Sequence, residues 1–134
     1  MLDANVFISA AIHRGPSHRI VMAWLESGAF ELIVSIGVLT EVADVLARPR
    51  LAKRIKHADA QAFLGAIGVV ADVVADPVDP ASFTRDPDDD YLIALAREHD
   101  ADIIVSGDKD LLAWTEQRPP VVTPAAFERM LAQP

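Results

Sequence analysis

The segment that decides the fold is DIIVSGDKDLL, residues 102–112, in which a short apolar run ends in a polar turn. Asp102–Ser106 predicts a buried strand, and Ser106-Gly107 predicts a tight turn into a helix over Asp108–Trp114. Upstream of it, Pro87–His99 has the apolar periodicity of a helix. A helix, a buried strand and a second helix in this order are typical of a parallel sheet covered by helices.

The rest of the chain alternates in the same way. Over 134 residues this predicts a single domain, residues 1–134, of the α/β class, with helices on both faces of a mainly parallel sheet. The remaining predicted elements are a strand tail over Leu2–Val6, a helix over Pro16–Ser27 capped by Ser17, a strand over Glu31–Ser35, a helix from the cap Ser35 to about Ala47, a helix from near Asp59, strands over Asp72–Ala75 and Val121–Val122, and a final helix begun by Thr123-Pro124.

Composition excludes several classes of protein. The chain has no cysteine, which excludes disulfide scaffolds and thiolate metal sites. No apolar run approaches the roughly 18 residues of a membrane span, and the first residues lack the pattern of a signal peptide. We therefore expect a cytoplasmic protein. Only Met1 and Leu2 precede Asp3, which is short for a strand and favours further residues upstream.

Acidic residues recur where predicted strands end or helices begin. Sites in parallel α/β sheets form beyond the carboxyl ends of the strands, so these acids are expected to converge. Carboxylates held close together stay ionised when a cation neutralises them, and a divalent metal bound by carboxylates points to phosphate chemistry. The four positions are Asp3, Glu41, the run Asp86–Asp90, and Asp108 with Asp110.

Each acidic position also has a purely structural interpretation. Asp3 and Asp108 could be helix N-caps, and Glu41 could be a solvated residue at the border of an apolar helix face. The run Asp86–Asp90 could simply complement a helix dipole. Four such positions in order are less easily explained this way than any one of them.

Helical spacing separates the candidates within the run. Asp89 shares a helix face with Leu92, Ile93 and Ala96, which must pack on the sheet. Asp90 aligns instead with Ala94 and Arg97. The spacing therefore predicts that Asp89 is directed toward the strand ends and that Asp90 pairs with Arg97 or assists.

A basic segment, RPRLAKRIKH, follows the predicted Glu41 helix in an otherwise acidic chain. It is either a solvated helix face or a surface that contacts a phosphate backbone. Trp24 and Trp114 lie on apolar stripes, which predicts core packing rather than base stacking. The candidate phosphate-binding residues are Arg48, Arg50, Lys53, Arg54 and Lys56.

Five motifs occur in order along the chain: LDANVFISA, TEVADVL followed by RPRL, DPDDDYLIALA, IIVSGDKDLL and VTPAAFERML. Together they resemble the PIN-domain nucleases, in particular the VapC-like toxins of bacterial type II toxin–antitoxin pairs. The resemblance covers essentially the whole chain. It implies a three-layer α/β/α fold, RNA cleavage that depends on Mg²⁺ or Mn²⁺, a cognate antitoxin protein and, commonly, a homodimer.

The resemblance also implies site residues. The four acids of the family fall on Asp3, Glu41, Asp89 and Asp108, and a one-residue shift would move the third to Asp90. Asp110 matches a frequent auxiliary acid. Asn5 and Ser106 match polar residues that support the first acid and the metal.

Two functions from different classes follow. One is a metal-dependent endoribonuclease, the toxin of a toxin–antitoxin pair. The other is a catalytically silent PIN-like module that binds protein or RNA. The four filled acidic positions favour the enzyme. A phosphatase or phosphotransfer receiver fits poorly, because the Asp3-Ala4-Asn5 start lacks the second nearby Asp that such phosphatases use.

Overall fold

The computed structural model describes residues 1–78 and 86–133, in which short parallel strands lie between helices. In chain order the elements are helix α1 (Ala4–Ile12), helix α2 (Pro16–Ser27), strand β1 (Ile33–Ser35), helix α3 (Ile36–Leu46), a 3-10 turn (Pro49–Leu51), helix α4 (His57–Val70), strand β2 (Asp72–Val74), helix α5 (Pro87–Glu98), strand β3 (Ile104–Val105), helix α6 (Lys109–Leu112), strand β4 (Val121–Val122) and helix α7 (Pro124–Ala132).

The strands pair in parallel throughout the described residues. Strand β1 pairs with β2, with Ile33 opposite Asp72, and β3 pairs with β4, with Ile104 opposite Val121. Leu2 extends the second pair as a single parallel bridge to Val105. All carboxyl ends within each pair therefore lie at the same edge, which is where α/β folds place their sites.

Two apolar clusters cover the strands. One packs α1, α2, α3, α4 and α7 around Leu2, Val34 and Val105, and the other packs α5 and α6 around Ile104 and Val121. This confirms the predicted α/β/α layers. Trp24 and Trp114 are buried in these clusters, as predicted. No helix among the described residues is both long enough and apolar enough to cross a bilayer.

The capping residues show which of the predicted helix boundaries are correct. Helix α2 spans the predicted residues and ends at Gly28, whose φ of 60° is the left-handed conformation that glycine adopts without strain. The predicted cap Ser17 is wrong. Gly15 is the N-cap and Pro16 takes the first helical position, which suits its fixed φ, and Ser17 is buried. Thr123 caps α7 as predicted, by accepting from the Ala126 N–H at 3.1 Å.

The predicted strand tail over Leu2–Val6 is wrong beyond Leu2. The Asp3 N–H still donates to Val105 O at 3.0 Å, but its carboxylate caps α1, which starts at Ala4. The acidic cap therefore overrides the β-propensity of Val6 and Phe7. Strand β3 is also shorter than predicted, because only Ile104 and Val105 take part in its pairing with β4.

Candidate metal centre

A pocket of about 300 Å³ opens at the carboxyl ends of the strands. Residues that directly follow Leu2, β1 and β3 line it, together with the first turn of α5. Parallel pairing brings these separate segments to one edge. Six carboxylates contribute to its wall: Asp3, Glu41, Asp86, Asp88, Asp89 and Asp108.

Ser106 joins the first and last of these acids. Its Oγ donates to Asp3 Oδ2 at 2.8 Å and accepts from the Asp108 N–H at 3.0 Å. Ser106 is fully buried, and both bonds are partly shielded from water. The Asn5 N–H also approaches Asp3 Oδ1, at 3.5 Å. The hydroxyl therefore fixes Asp3 against the loop after β3, although 103 residues separate Asp3 from Ser106.

Three carboxylates converge more tightly than the rest. One oxygen from each of Asp86, Asp89 and Asp108 lies within 4.8 Å of the others. Asp86 and Asp108 are both helix N-caps, accepting from the N–H groups of Asp88 and Asp110 at 2.9 and 2.8 Å. The structural interpretation of Asp108 is thus correct, and it is compatible with a place in the site, because a cap uses only part of a carboxylate's accepting capacity.

Asp89 is the most constrained member of the group. Its side chain is only 5% exposed. Within residues 1–78 and 86–133, its Oδ2 is the buried side-chain oxygen that has no hydrogen-bond partner. A buried carboxylate oxygen without a partner is costly, because it has lost water and gained nothing in return. The atom is therefore open to a ligand.

The electrostatics follow from burial and like charges. Burial, followed by the charges of Asp108, Asp86, Asp3 and Asp110, raises the pKa of Asp89 to about 6. Burial also raises the pKa of Asp3, against the lowering effect of its bond from Ser106. Desolvation raises the pKa of Glu41, followed by the charges of Asp3 and Asp88. The carboxylates of the pocket therefore repel one another in the absence of a cation.

A divalent metal ion fits this arrangement. Carboxylate oxygens are the ligands that Mg²⁺ and Mn²⁺ prefer. The converging trio supplies three of them, and the open Asp89 Oδ2 supplies an atom that lacks a partner within the described protein. A cation at this point would also offset the repulsion that raises the pKa of Asp89.

The predicted site residues divide into two groups. Asp3, Asn5, Glu41, Asp89 and Asp108 all line the pocket, and Ser106 supports it from beneath. Of the described residues, neither Asp90 nor Asp110 lines it, although Asp90 is almost as buried as Asp89. The five basic residues proposed to bind RNA are all exposed, around the 3-10 turn that follows α3.

Sequence reasoning missed Asp86 as a member of the trio. Its spacing of three residues from Asp89, at a helix start marked by Pro87, was an available signal. It also missed Tyr91 and Asp76, which flank the pocket. No local pattern singles out Asp76, because its contacts are with residues far away in the chain.

A larger cleft of about 970 Å³ lies at the opposite, amino-terminal edge of the strands. Its floor includes the side chains of Leu2, Ile33 and Val105. The buried amino group of Met1 borders it and donates to Ile103 O at 2.9 Å. The carboxylates around this cleft are exposed rather than convergent, so the smaller acidic pocket is the better candidate for chemistry.

Comparison with known proteins supports this choice. No curated protein matches the chain significantly. The family model described as the PIN domain matches residues 1–110, which include every residue that lines the acidic pocket. PIN domains have a nuclease-type fold and generally need divalent metals. With more than four fifths of its length matched and the α/β/α layers in place, the chain belongs to the PIN-domain family.

Proposed function

We propose that this PIN-domain protein is a metal-dependent endoribonuclease that hydrolyses RNA phosphodiester bonds with Mg²⁺ or Mn²⁺. The observation that carries the proposal is the convergence of Asp86, Asp89 and Asp108 around the unpartnered Asp89 Oδ2. A silent binding module has no need to bury an acid in an unfavourable environment. The crowded carboxylates therefore favour the enzyme.

The pocket residues have two proposed roles, which are to bind the cation and to position water. Asp86, Asp89 and Asp108 would hold the cation. When bound, a divalent cation supplies Lewis-acid activation of water and neutralises charge at the scissile phosphate. Asp3 and Glu41 face the same pocket with raised pKa values, and can accept hydrogen bonds from an attacking water. Ser106 keeps Asp3 in place while it does so.

An RNA-cleavage assay tests the proposal. Wild-type protein should cleave RNA with Mg²⁺ or Mn²⁺ and stop when a chelator is added. Asp3→Ala and Asp89→Ala should each lower the rate by at least the roughly 10–100-fold typical of disturbed metal sites. Asp72→Ala removes an exposed carboxylate at the amino end of β2 and should leave the rate unchanged. Cleavage that survives chelation or both pocket substitutions would contradict the proposal.

The basic segment is proposed to bind the RNA backbone. Helix α3 carries Glu41 on the pocket wall and ends at Leu46, and Arg48 follows two residues later. The charge of Arg48 partly offsets the rise in the pKa of Glu41, so the two side chains interact electrostatically. A phosphate chain that enters the pocket can therefore continue over Arg48 and its neighbours.

Salt dependence tests this surface. Binding of single-stranded RNA should weaken with salt at roughly 0.7 in log–log slope for each phosphate contact. The double variant Arg50→Gln/Lys53→Gln should lower that slope by about 1.4 if both residues contact phosphates. Arg129→Gln, which removes an exposed cation on α7, is the control and should leave the slope unchanged. An unaltered slope in the double variant would show that Arg50 and Lys53 are solvated and do not contact the RNA phosphates.

The toxin assignment is the finer part of the proposal. The protein would act in the cytoplasm, held inactive by a cognate antitoxin that covers the acidic pocket, with a homodimer as the active assembly. A neighbouring gene for a small protein with a DNA-binding segment would supply the antitoxin. Co-expression should protect cells and cellular RNA, and the antitoxin should no longer bind once the pocket carboxylates are replaced by alanine.

A further inference from the structure

A hydrogen-bonded relay lies beside the acidic pocket. The Gly37 N–H donates to Asp76 Oδ1 at 2.9 Å, and Tyr91 also donates to Asp76 Oδ1. Ser35 Oγ lies 2.6 Å from Tyr91 Oη and accepts from the Val38 N–H at 3.0 Å. Because the single hydroxyl hydrogen of Tyr91 goes to Asp76, Ser35 must donate to Tyr91. The relay therefore runs from Ser35 through Tyr91 to the carboxylate of Asp76.

The relay connects the two helices that form the pocket walls. Tyr91 lies on α5, two residues after Asp89. Ser35 caps α3, which carries Glu41. Glu41 on α3 and Asp88 on α5 line the same pocket. The bonds made by the Tyr91 hydroxyl therefore join its two walls.

Glycine at position 37 is required by the same contacts. A Cβ added to Gly37 would lie 2.6 Å from Asp76 Oδ1 and 2.8 Å from Tyr91 Oη. Either distance is shorter than a side-chain carbon tolerates. By contrast, a Cβ added to Gly65 in α4 has nothing within 4 Å. The first turn of α3 therefore needs a residue without a Cβ where Asp76 and Tyr91 contact it.

We propose that Tyr91 is a positioning residue of the metal site: through Ser35 and Asp76, its hydroxyl fixes the separation of the α3 and α5 walls and thereby sets the affinity of the pocket for a divalent cation. The inference rests on the proposed metal-dependent function. Groups that hold metal-binding side chains in place typically change metal affinity roughly 10–100-fold when removed. Tyr91 would act in this way without binding the ion.

The test is Tyr91→Phe, which removes the hydroxyl and changes no charge near the carboxylates. Titration of chelator-treated protein with Mn²⁺ by calorimetry should give a Kd about tenfold higher than that of wild type. The Mn²⁺ concentration for half-maximal RNA cleavage should rise by the same factor, while kcat at saturating Mn²⁺ stays near the wild-type value. A loss of folded protein would instead lower the number of binding sites and leave Kd unchanged, and that result would overturn the positioning role.

Gln117→Leu is the matched control. Gln117 also makes two hydrogen bonds, to Leu112 O at 2.9 Å and from the Val121 N–H at 3.3 Å, at the amino end of β4. Its loss should lower the melting temperature but leave the Mn²⁺ Kd unchanged. A Kd that rises equally in this variant would overturn the inference.

Gly37→Ala disturbs the relay in a second way. The added methyl would push Asp76 and Tyr91 apart, so the Mn²⁺ Kd should rise as in Tyr91→Phe. The two changes combined should raise it little further, because they break the same contact. Gly65→Ala, with open space around its Cβ, should leave Kd unchanged.

The outcomes separate the two proposals. Wild-type Mn²⁺ affinity in both Tyr91→Phe and Gly37→Ala would overturn the positioning role and leave the nuclease proposal intact. A wild-type protein that neither binds Mn²⁺ nor cleaves RNA would overturn the proposed function, and the positioning role with it.

Discussion

Replacing Asp89 by asparagine is expected to make the metal-free protein more stable while abolishing its metal binding. Asp89 is buried, has an unpartnered oxygen and is surrounded by like charges. Asparagine has nearly the same shape and no charge. Its amide also brings N–H donors close to the carboxylates of Asp86 and Asp108, whose oxygens lie within 4.8 Å. The substitution therefore removes a source of instability that the cation would otherwise relieve.

The raised pKa gives the magnitude. A rise of the Asp89 pKa from 3.8 to about 6 corresponds to at most about 3 kcal/mol in the free energy of unfolding, at roughly 1.4 kcal/mol per pH unit. Water at the pocket mouth screens the neighbouring charges and lowers this figure. Because the folded protein binds this proton more tightly than the unfolded chain, the destabilisation is absent below about pH 4. It grows as the pH rises from about 4 to about 6 and is complete above that range. The asparagine variant loses the contribution of Asp89 to this pH dependence and keeps those of Asp3 and Glu41.

The assay is thermal and urea unfolding in chelator at about pH 4 and about pH 7.5. At the higher pH we expect the free energy of unfolding of the Asp89→Asn variant to exceed that of wild type by up to about 3 kcal/mol, which corresponds to up to about 10 °C in Tm. At the lower pH the difference should nearly vanish. Asp72→Asn, which removes one exposed charge at the other edge of the strands, should show little difference at either pH.

Addition of Mn²⁺ completes the experiment. Wild type should gain stability with Mn²⁺, and Asp89→Asn should not. Asp90→Asn, which changes the neighbouring acid outside the pocket, should still gain it. The reasoning is refuted if Asp89→Asn is no more stable than wild type at the higher pH. It is equally refuted if Mn²⁺ stabilises the variant as it does wild type.

Three further changes test single contacts. Ser106→Ala removes the hydrogen bond to Asp3 and the acceptor for the Asp108 N–H. Calorimetry should therefore show a roughly 10–100-fold lower Mn²⁺ affinity. Unchanged affinity would show that other contacts hold Asp3. Gly28→Ala places a Cβ at a φ of 60° and should cost about 1 kcal/mol in urea unfolding without altering Mn²⁺ affinity. Thr123→Ala removes the cap of α7 and should also cost about 1 kcal/mol, which Thr123→Ser should largely restore.

The sequence predicts the elements whose signals are local. The helix over Pro16–Ser27 and the start of α7 at Thr123-Pro124 are predicted correctly, because periodicity, proline and the cap occur within a few residues. The strand tail over Leu2–Val6 is wrong for a physical reason. Val6 and Phe7 favour strands, but the carboxylate of Asp3 caps a helix there, and this contact outweighs the propensity.

The candidate site is predictable in part. Strand ends and helix starts indicate Asp3, Glu41, Asp89 and Asp108, all of which line one pocket. Helical spacing separates Asp89 from Asp90, and of these two Asp89 lines the pocket. The roles of these four acids, as metal ligands or as residues that position water, stay predictions.

The contacts that join distant segments are beyond the reach of sequence patterns. The relay of Ser35, Asp76 and Tyr91 depends on how α3, α5 and the segment after β2 pack, and no spacing in the sequence encodes that. The same holds for Ser106, whose second partner, Asp3, is 103 residues away. Before the structure is considered, only the resemblance to the PIN-domain nucleases indicates Ser106 as a residue of the site.

The distance along the chain between Asp3 and Ser106 has a consequence for protein synthesis. At the usual elongation rate of ~5–20 residues per second, Ser106 is added roughly 5–20 s after Asp3. During that interval the nascent chain carries the first acid but cannot form the pocket. Under the proposed function, the chain would gain activity only after Ser106 has been added, and a product terminated before Ser106 would lack it.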